Sequence, residues 1–255
     1  MPRQRGRYAE ARLTDLTGKV ALVTGGSRGI GRAITVSLSD AGAAVAVNYL
    51  QQAGQAHELV EEIRGRGGRA TAVAADVSQG TAVAGMVAAV GAALGPVDIL
   101  VNNAGIGLVR GIDELTEADF DRTIAVNLKS VFLCTQAVLP GMRARGWGRI
   151  VNVSSGAARG AGAVGPHYNA SKAGLEGLTR GYAARLAKDG VTVNAVAPSL
   201  IETDMVRGGV ASSPARIPLG RFGTPEECAQ VVMMLIGNAY MTGQTVALSG
   251  GLSFI

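Results

Sequence analysis

From about Lys19 onward the chain alternates short, β-rich apolar runs with stretches of helical length, and few folds accommodate that alternation. VALVT (20–24) precedes a Gly-rich turn and a helical stretch through AITVSLSDAG, and AVAVNY (44–49) is a second run. HELVEEIRGRGG reads as an amphipathic helix ending at glycines, ATAVAADV as a third strand, and AVAGMVAAVGAALG as a helix with a glycine stop. VDILVNNAG is the fourth strand, a helical region covers roughly 117–145, and RIVNVSS is the fifth strand. A helix runs from the Tyr168 segment to Asp189, followed by VTVNAVAP and QTVALSG as strands six and seven. Strands alternating with helices imply a parallel sheet covered on both faces. The expected class is α/β: a single doubly wound, Rossmann-like domain over 16–255 with a seven-stranded parallel sheet, its ligands at the carboxyl ends of the strands.

A chain of 255 residues, 47% hydrophobic, is long enough for one large core. Cys134 and Cys228 each lie in an apolar helical run, which favours buried free thiols in a reducing compartment and a cytoplasmic location. No apolar run approaches the length of a transmembrane helix, and MPRQRGRYAEAR lacks the apolar core of a signal peptide, so no membrane association is expected. Part of the net charge of +5 comes from Arg3, Arg5, Arg7 and Arg12, within a leader (1–15) read as a mobile basic tail. With 4% aromatic residues and no Arg or Lys stripe interleaved with aromatics, a nucleic-acid partner is not expected.

TGGSRGIG (24–31) lies between the first strand and the first helix. Backbone N–H groups at a helix N-terminus, unobstructed at Gly25, Gly29 and Gly31, make a seat for a pyrophosphate. The turn thus nominates Gly25, Ser27, Arg28, Gly29, Ile30 and Gly31 for a dinucleotide, although its spacing is G-x-x-x-G-x-G and it contains no G-K-[ST]. At the end of the second strand stand Asn48 and Tyr49, and NYLQQ has no acid to accept hydrogen bonds from an NAD ribose. Arg28 offers a guanidinium suited to a phosphate on the same side. NADP(H) is therefore the expected cofactor.

GPHYNASKAG (165–174) sets Tyr168 and Lys172 four residues apart, on one face of a helix. Alone, the spacing fits a half-buried Tyr beside an exposed Lys equally well. Taken with TGGSRGIG, AADV (74–77), NNAG (102–105), Asn127 in AVNLKS, and Ser155 thirteen residues before Tyr168, it resembles the short-chain dehydrogenase/reductase family from about Leu16 to the C-terminus. Within that family, TGGSRGIG, VAPSLIETDM and IPLGRFGTPEE are most similar to the NADPH-dependent 3-oxoacyl-acyl-carrier-protein reductases.

The resemblance implies a role for each position. Asp76 and Val77 would bracket the adenine, Asn103, Ala104 and Gly105 would line the cleft, and Ile201 and Thr203 would hold the nicotinamide carboxamide. Ser155, Tyr168, Lys172 and Asn127 would form a catalytic tetrad. Hydride delivery to a ketone leaves negative charge on oxygen, so a proton donor must stand beside it. A phenol is a weak donor near neutrality unless an adjacent ammonium lowers its pKa, as Lys172 would for Tyr168. Ser155 would polarise the carbonyl, with Ser154 as the alternative hydroxyl, and Asn127 would anchor a water leading to Lys172.

Four departures from the family pattern concern the substrate. Pro166 and His167 precede Tyr168, and Ser199 stands where Gly is usual. The lid segment between Met205 and Ile217 is short and carries a double glycine. Arg143, Arg145 and Arg149 offer basic surface for an acidic carrier near the cleft, but Asp189 stands where carrier-binding relatives have Arg, which argues against an acyl-carrier partner. The resulting expectation is an NADPH-dependent ketoreductase acting on a small-molecule or thioester carbonyl, most like a 3-oxoacyl-thioester reductase, and by resemblance a homotetramer. The alternatives are a short-chain dehydrogenase for a sugar, small alcohol or diketone, and a non-catalytic NADP-sensing protein.

Overall fold

Seven strands pair in parallel in the order β3-β2-β1-β4-β5-β6-β7. They are β1 (Val20–Val23), β2 (Ala44–Tyr49), β3 (Ala70–Ala74), β4 (Ile99–Asn102), β5 (Gly148–Val153), β6 (Val191–Pro198) and β7 (Thr245–Leu248). The computed structural model describes residues 14–207 and 213–253. Most of the leader expected over 1–15 and residues 208–212 of the short lid lie outside the described residues.

Alternate residues of one strand point to opposite faces. Ala21 and Val23 of β1 join one core, with Ile34 and Leu38 of α1 (Gly29–Asp40), Leu59 and Ile63 of α2 (Ala53–Gly65), and Val232 and Leu235 of α8 (Pro225–Gly237). Val20 and Leu22 join the other, with Met86 and Val90 of α3 (Gly80–Ala93), Cys134 and Met142 of α5 (Ser130–Ala144), and Leu186 of α6 (Pro166–Leu186). β1, β5 and β6 are buried along their whole length; β1 reads as a continuous apolar run, whereas β5 and β6 also bury polar side chains, with Asn152 donating to Thr179 Oγ1 (2.9 Å) and Asn194 to Met241 O (2.7 Å). Cys134 and Cys228 are free and buried, and burial pushes each thiol up to about 12.

Local chemistry sets the element ends. Thr116 with Asp119 and Thr224 with Glu227 close capping boxes at the starts of α4 (Glu117–Ile124) and α8, and Pro166 starts α6. The third strand is shorter than ATAVAADV, because the Asp76 carboxylate accepts hydrogen bonds from Ser78 N–H (2.9 Å) and Ser78 Oγ (2.7 Å) and turns the chain away. The fourth strand ends before NNAG is complete, since Asn103 N–H donates to Thr24 Oγ1 (2.9 Å) rather than continuing the ladder.

The helical region at 117–145 is not uniform. A π-helical turn, Ala125–Lys129, separates α4 from α5, at the kind of irregularity often found at functional sites. The combined helix Glu117–Ala144 is, by length and composition, long enough to cross a membrane, contrary to the expectation from the sequence. In the fold one face of it packs into the core, with Val131, Cys134, Val138 and Met142 buried.

Candidate active site

The strand order reverses between β1 and β4, and the crevice beyond their carboxyl ends is where a doubly wound sheet binds ligands. A cleft of about 820 Å³ opens there. Its lining includes every position nominated from the sequence except Asn127, which is buried immediately behind it.

The turn after β1 forms the cleft's floor. Gly29 has φ +52°, in the left-handed region. Gly31 lies so close to the chain crossing above it that a Cβ would collide with the Gly25 carbonyl and stand 2.5 Å from Asn103 Nδ2. Asn103 Nδ2 donates to the carbonyls of Thr24 and Gly25, both at 2.9 Å, so the loop after β4 is bolted to the turn after β1. Asn48, 2% exposed, accepts from Gly25 N–H (3.2 Å) and donates to Ala75 O (3.1 Å). Asn48 and Asn103 thus act on the cleft's backbone, a role the sequence does not distinguish from ligand contact. The helix N-terminus, its bare glycines and the open floor fit the diphosphate of a dinucleotide.

Tyr49 meets His57 edge-on at 5.9 Å, and no carboxylate occurs in 48–52. Arg28 is exposed at the mouth, where its Nη1 lies 3.5 Å from Asp204 Oδ2. Asp204 opens the short helix α7 (Asp204–Arg207), so the pair bridges the cleft between floor and lid. An exposed pair of this kind contributes about 0.2–1 kcal/mol, weak enough for an incoming phosphate to displace. Thr203 faces Gly29 across the same gap, and Ile201 is buried beside Gly223.

At the closed end, β5 and α6 bring three side chains together. Ser155 follows β5, and its Oγ accepts a hydrogen bond from Ala157 N–H (3.2 Å), which leaves the hydroxyl proton free for the cleft. Ser154 points the other way, donating to Glu176 Oε1 (3.2 Å) in the body of α6, and Glu176 also holds Arg159 (3.0 Å). Lys172 is buried with its Nζ donating to Val153 O (2.8 Å), 5.8 Å from the centre of the Tyr168 ring. Gly105 sits between Asn127 and Lys172, for a Cβ there would lie 3.3 Å from Asn127 Oδ1 and 3.6 Å from Lys172 Nζ. Asn127 itself is held by Ile106, accepting from its N–H (2.8 Å) and donating to its carbonyl (2.9 Å).

The electrostatics depart from the expectation that Lys172 lowers the Tyr168 pKa. Burial raises the Tyr168 pKa, and the neighbouring Ser155 hydroxyl works against that rise. Lys172 is itself desolvated, which brings its pKa down to about 8. Its ammonium is turned to the Val153 carbonyl, so without a bound ligand the phenol keeps its proton.

The basic residues assigned to a carrier surface prove to be elsewhere. Arg143, Arg145 and Arg149 lie at the amino ends of the strands, opposite the cleft. Arg143 pairs with Asp189 (2.6 Å), Arg145 with Asp98 (3.1 Å), and Arg149, 7% exposed, donates to Ile236 O (3.1 Å) beneath Trp147. Their charges serve the fold. His167, 1% exposed, donates from Nε2 to Leu108 O (3.0 Å), while its Nδ1 has no partner among the described residues. Ser199 is unstrained, since no described non-glycine residue has positive φ.

Asp121 and Arg122 of α4, Val126 of the π turn and Pro198 of β6 also line the cleft, and sequence reasoning passed over them. Val126 had a signal, its adjacency to Asn127. Asp121 and Arg122 had none, because only the packing of α4 against α6 brings them there.

Residues 19–212 match the short chain dehydrogenase family. A 3-oxoacyl-(acyl-carrier-protein) reductase of Synechocystis sp. is 42% identical over 244 residues, 94% of this chain and 99% of that protein. A 3-oxoacyl-(acyl-carrier-protein) reductase FabG of Staphylococcus epidermidis is 42% identical over 242 residues, 92% of this chain and 98% of its own. Among solved structures, a blue fluorescent protein from a metagenomic library in complex with NADPH has a TM-score of 0.88 at 40% identity, over 94% of this chain and all of that one. With its seven-stranded parallel sheet, glycine-floored cleft, and Ser155, Tyr168 and Lys172 at the closed end, this chain belongs to the short-chain dehydrogenase family, as an oxidoreductase acting on the CH–OH/C=O couple.

Proposed function

We propose that this chain is an NADPH-dependent ketoreductase whose substrate is the 3-keto group of a 3-oxoacyl thioester. The observation that carries the reading is the convergence of Ser155, Tyr168 and Lys172 at the closed end of a cleft whose open end presents Arg28 and lacks a carboxylate after β2. The 3-oxoacyl reductases among its relatives, and the NADPH complex of one structural neighbour, support the finer assignment.

Gly25, Ser27, Gly29, Ile30 and Gly31 would seat the diphosphate, with Arg28 on the 2′-phosphate. Asn48, Tyr49, Asp76 and Val77 would line the adenosine side, and Asn103, Ala104, Gly105, Ile201 and Thr203 the nicotinamide side. The bound nicotinamide supplies the hydride. Ser155 and Tyr168 would hold the substrate oxygen, and Tyr168, kept protonated by its burial, would give that oxygen its proton as charge develops. Lys172 would stabilise the phenolate left behind, and Asn127 would hold the path for its reprotonation past Gly105. We also propose that 16–255 is the catalytic unit, that it works in the cytoplasm, and that it assembles as a homotetramer.

Oxidation of NADPH with acetoacetyl-CoA tests the reading, and a preference for NADH, or turnover confined to sugars, small alcohols or diketones, would replace it. Binding of NADPH without turnover on any ketone would instead favour a sensor.

A further inference from the structure

Ser199 follows Pro198, the last residue of β6, and its backbone is pinned by an N–H···O bond to Leu248 of β7 at 2.9 Å. Its side chain is not pinned. The residue is half-buried and lines the cleft, yet its hydroxyl has no hydrogen-bond partner among the described residues. A cleft-lining hydroxyl that the protein does not pair is open to hydrogen-bond a ligand atom.

Its position says which part of a ligand. Ser199 Oγ packs against Gly156, the residue immediately after Ser155, so closely that a Cβ on Gly156 would stand 2.5 Å from it. The missing side chain at 156 is what admits the hydroxyl. Two serine hydroxyls therefore flank the closed end of the cleft: Ser155 beside Tyr168, and Ser199 across from Gly156. Because Gly156 directly follows Ser155, a substrate whose carbonyl oxygen is held by Ser155 and Tyr168 would bring its adjacent atoms towards Ser199.

We propose that Ser199 is a specificity-determining residue whose hydroxyl donates a hydrogen bond to a second oxygen close to the reacting carbonyl, selecting 1,3-dicarbonyl substrates over simple ketones. This rests on the ketoreductase reading above, and it accounts for selection of a 3-oxoacyl thioester, whose thioester carbonyl lies two bonds from the keto carbon. No bond is made or broken at Ser199.

The test compares ethyl acetoacetate with 2-heptanone, which has nearly the same shape but lacks the second carbonyl. Steady-state kinetics with NADPH are measured for the wild-type protein, Ser199→Ala and Ser199→Gly. The expected result is a fall of about five- to tenfold in kcat/KM for the keto ester, mainly through KM, with 2-heptanone changed by less than about twofold, the size of one neutral hydrogen bond. NADPH affinity and melting temperature should stay at their wild-type values. Equal losses on both ketones would mean that Ser199 only supports the site's shape, and no change on either would mean that the hydroxyl is idle; either result overturns the proposal. If the wild-type protein reduces neither the keto ester nor acetoacetyl-CoA, the functional reading fails and this inference with it.

Discussion

The two ends of the cleft are built on different principles. On the cofactor side, polar side chains are spent on the backbone: Thr24, Asn48 and Asn103 tie the turn after β1 to the ends of β2, β3 and β4. On the substrate side, the hydroxyl of the cleft-lining Ser199 has no hydrogen-bond partner among the described residues, and neither has Nδ1 of His167, the buried neighbour of Tyr168. If the two ends take cofactor and ketone as proposed, the surface for the one constant ligand is rigid, whereas the surface that would select among ketones keeps the hydrogen-bonding capacity of Ser199 in reserve.

The contrast breaks most visibly at Tyr168. Replacing Tyr168 with Phe should cut kcat by about 10³-fold while leaving the NADPH dissociation constant within about twofold, measured by fluorescence titration; full activity would refute the proton-donor role. On the rigid side, Gly31→Ala should cost about 1–3 kcal/mol of stability by overpacking, and weaken NADPH binding at least about tenfold, seen by thermal melting and titration. If Gly31→Ala is silent, the turn is less constrained than its packing implies.

Arg28→Ala should weaken NADPH binding about tenfold, as loss of a charged hydrogen bond would, and leave NADH binding unchanged. An equal effect on both dinucleotides would remove Arg28 from the 2′-phosphate.

The smallest effect is on stability and pH. Lys172 titrates at about 8 in the fold instead of 10.5, so the unfolded chain holds more protons between those values and stability should rise with pH across that window. Lys172→Met removes the buried charge and should raise the melting temperature of the ligand-free protein by about 2 °C or more at pH 7, with the gain shrinking towards pH 10. The same titration predicts an alkaline fall in kcat/KM centred near pH 8, whereas a limb above pH 10 would assign it to Tyr168 instead.

Much of the fold is legible in the sequence. Strands covered by helices on both faces are mostly apolar, so VALVT, AVAVNY and VTVNAVAP declared themselves and their alternation with helices implied the parallel sheet, although β2 and β6 also bury Asn48, Thr192 and Asn194. Tyr168 and Lys172 share a face because helical geometry is local, and TGGSRGIG marks a helix N-terminus for the same reason. Element ends were less readable, since Asp76 ends a strand and the π turn at 125–129 interrupts a helix through hydrogen bonds and packing that composition does not encode.

By itself, then, the sequence determined the fold class, the Gly-rich turn at a helix N-terminus and the sharing of one helix face by Tyr168 and Lys172, all of which depend on short-range periodicity and backbone freedom. Tertiary structure alone decided what each polar group faces. It turned Ser154 towards Glu176 and left Ser155 for the cleft, and it sent Arg143, Arg145 and Arg149 to the far end of the sheet. It also gave Lys172 a carbonyl partner and a lowered pKa, and set Ser199 against Gly156 across the closed end of the cleft. Burial, desolvation and hydrogen-bond partners are properties of residues far apart in the chain, and they exist only once the sheet has closed.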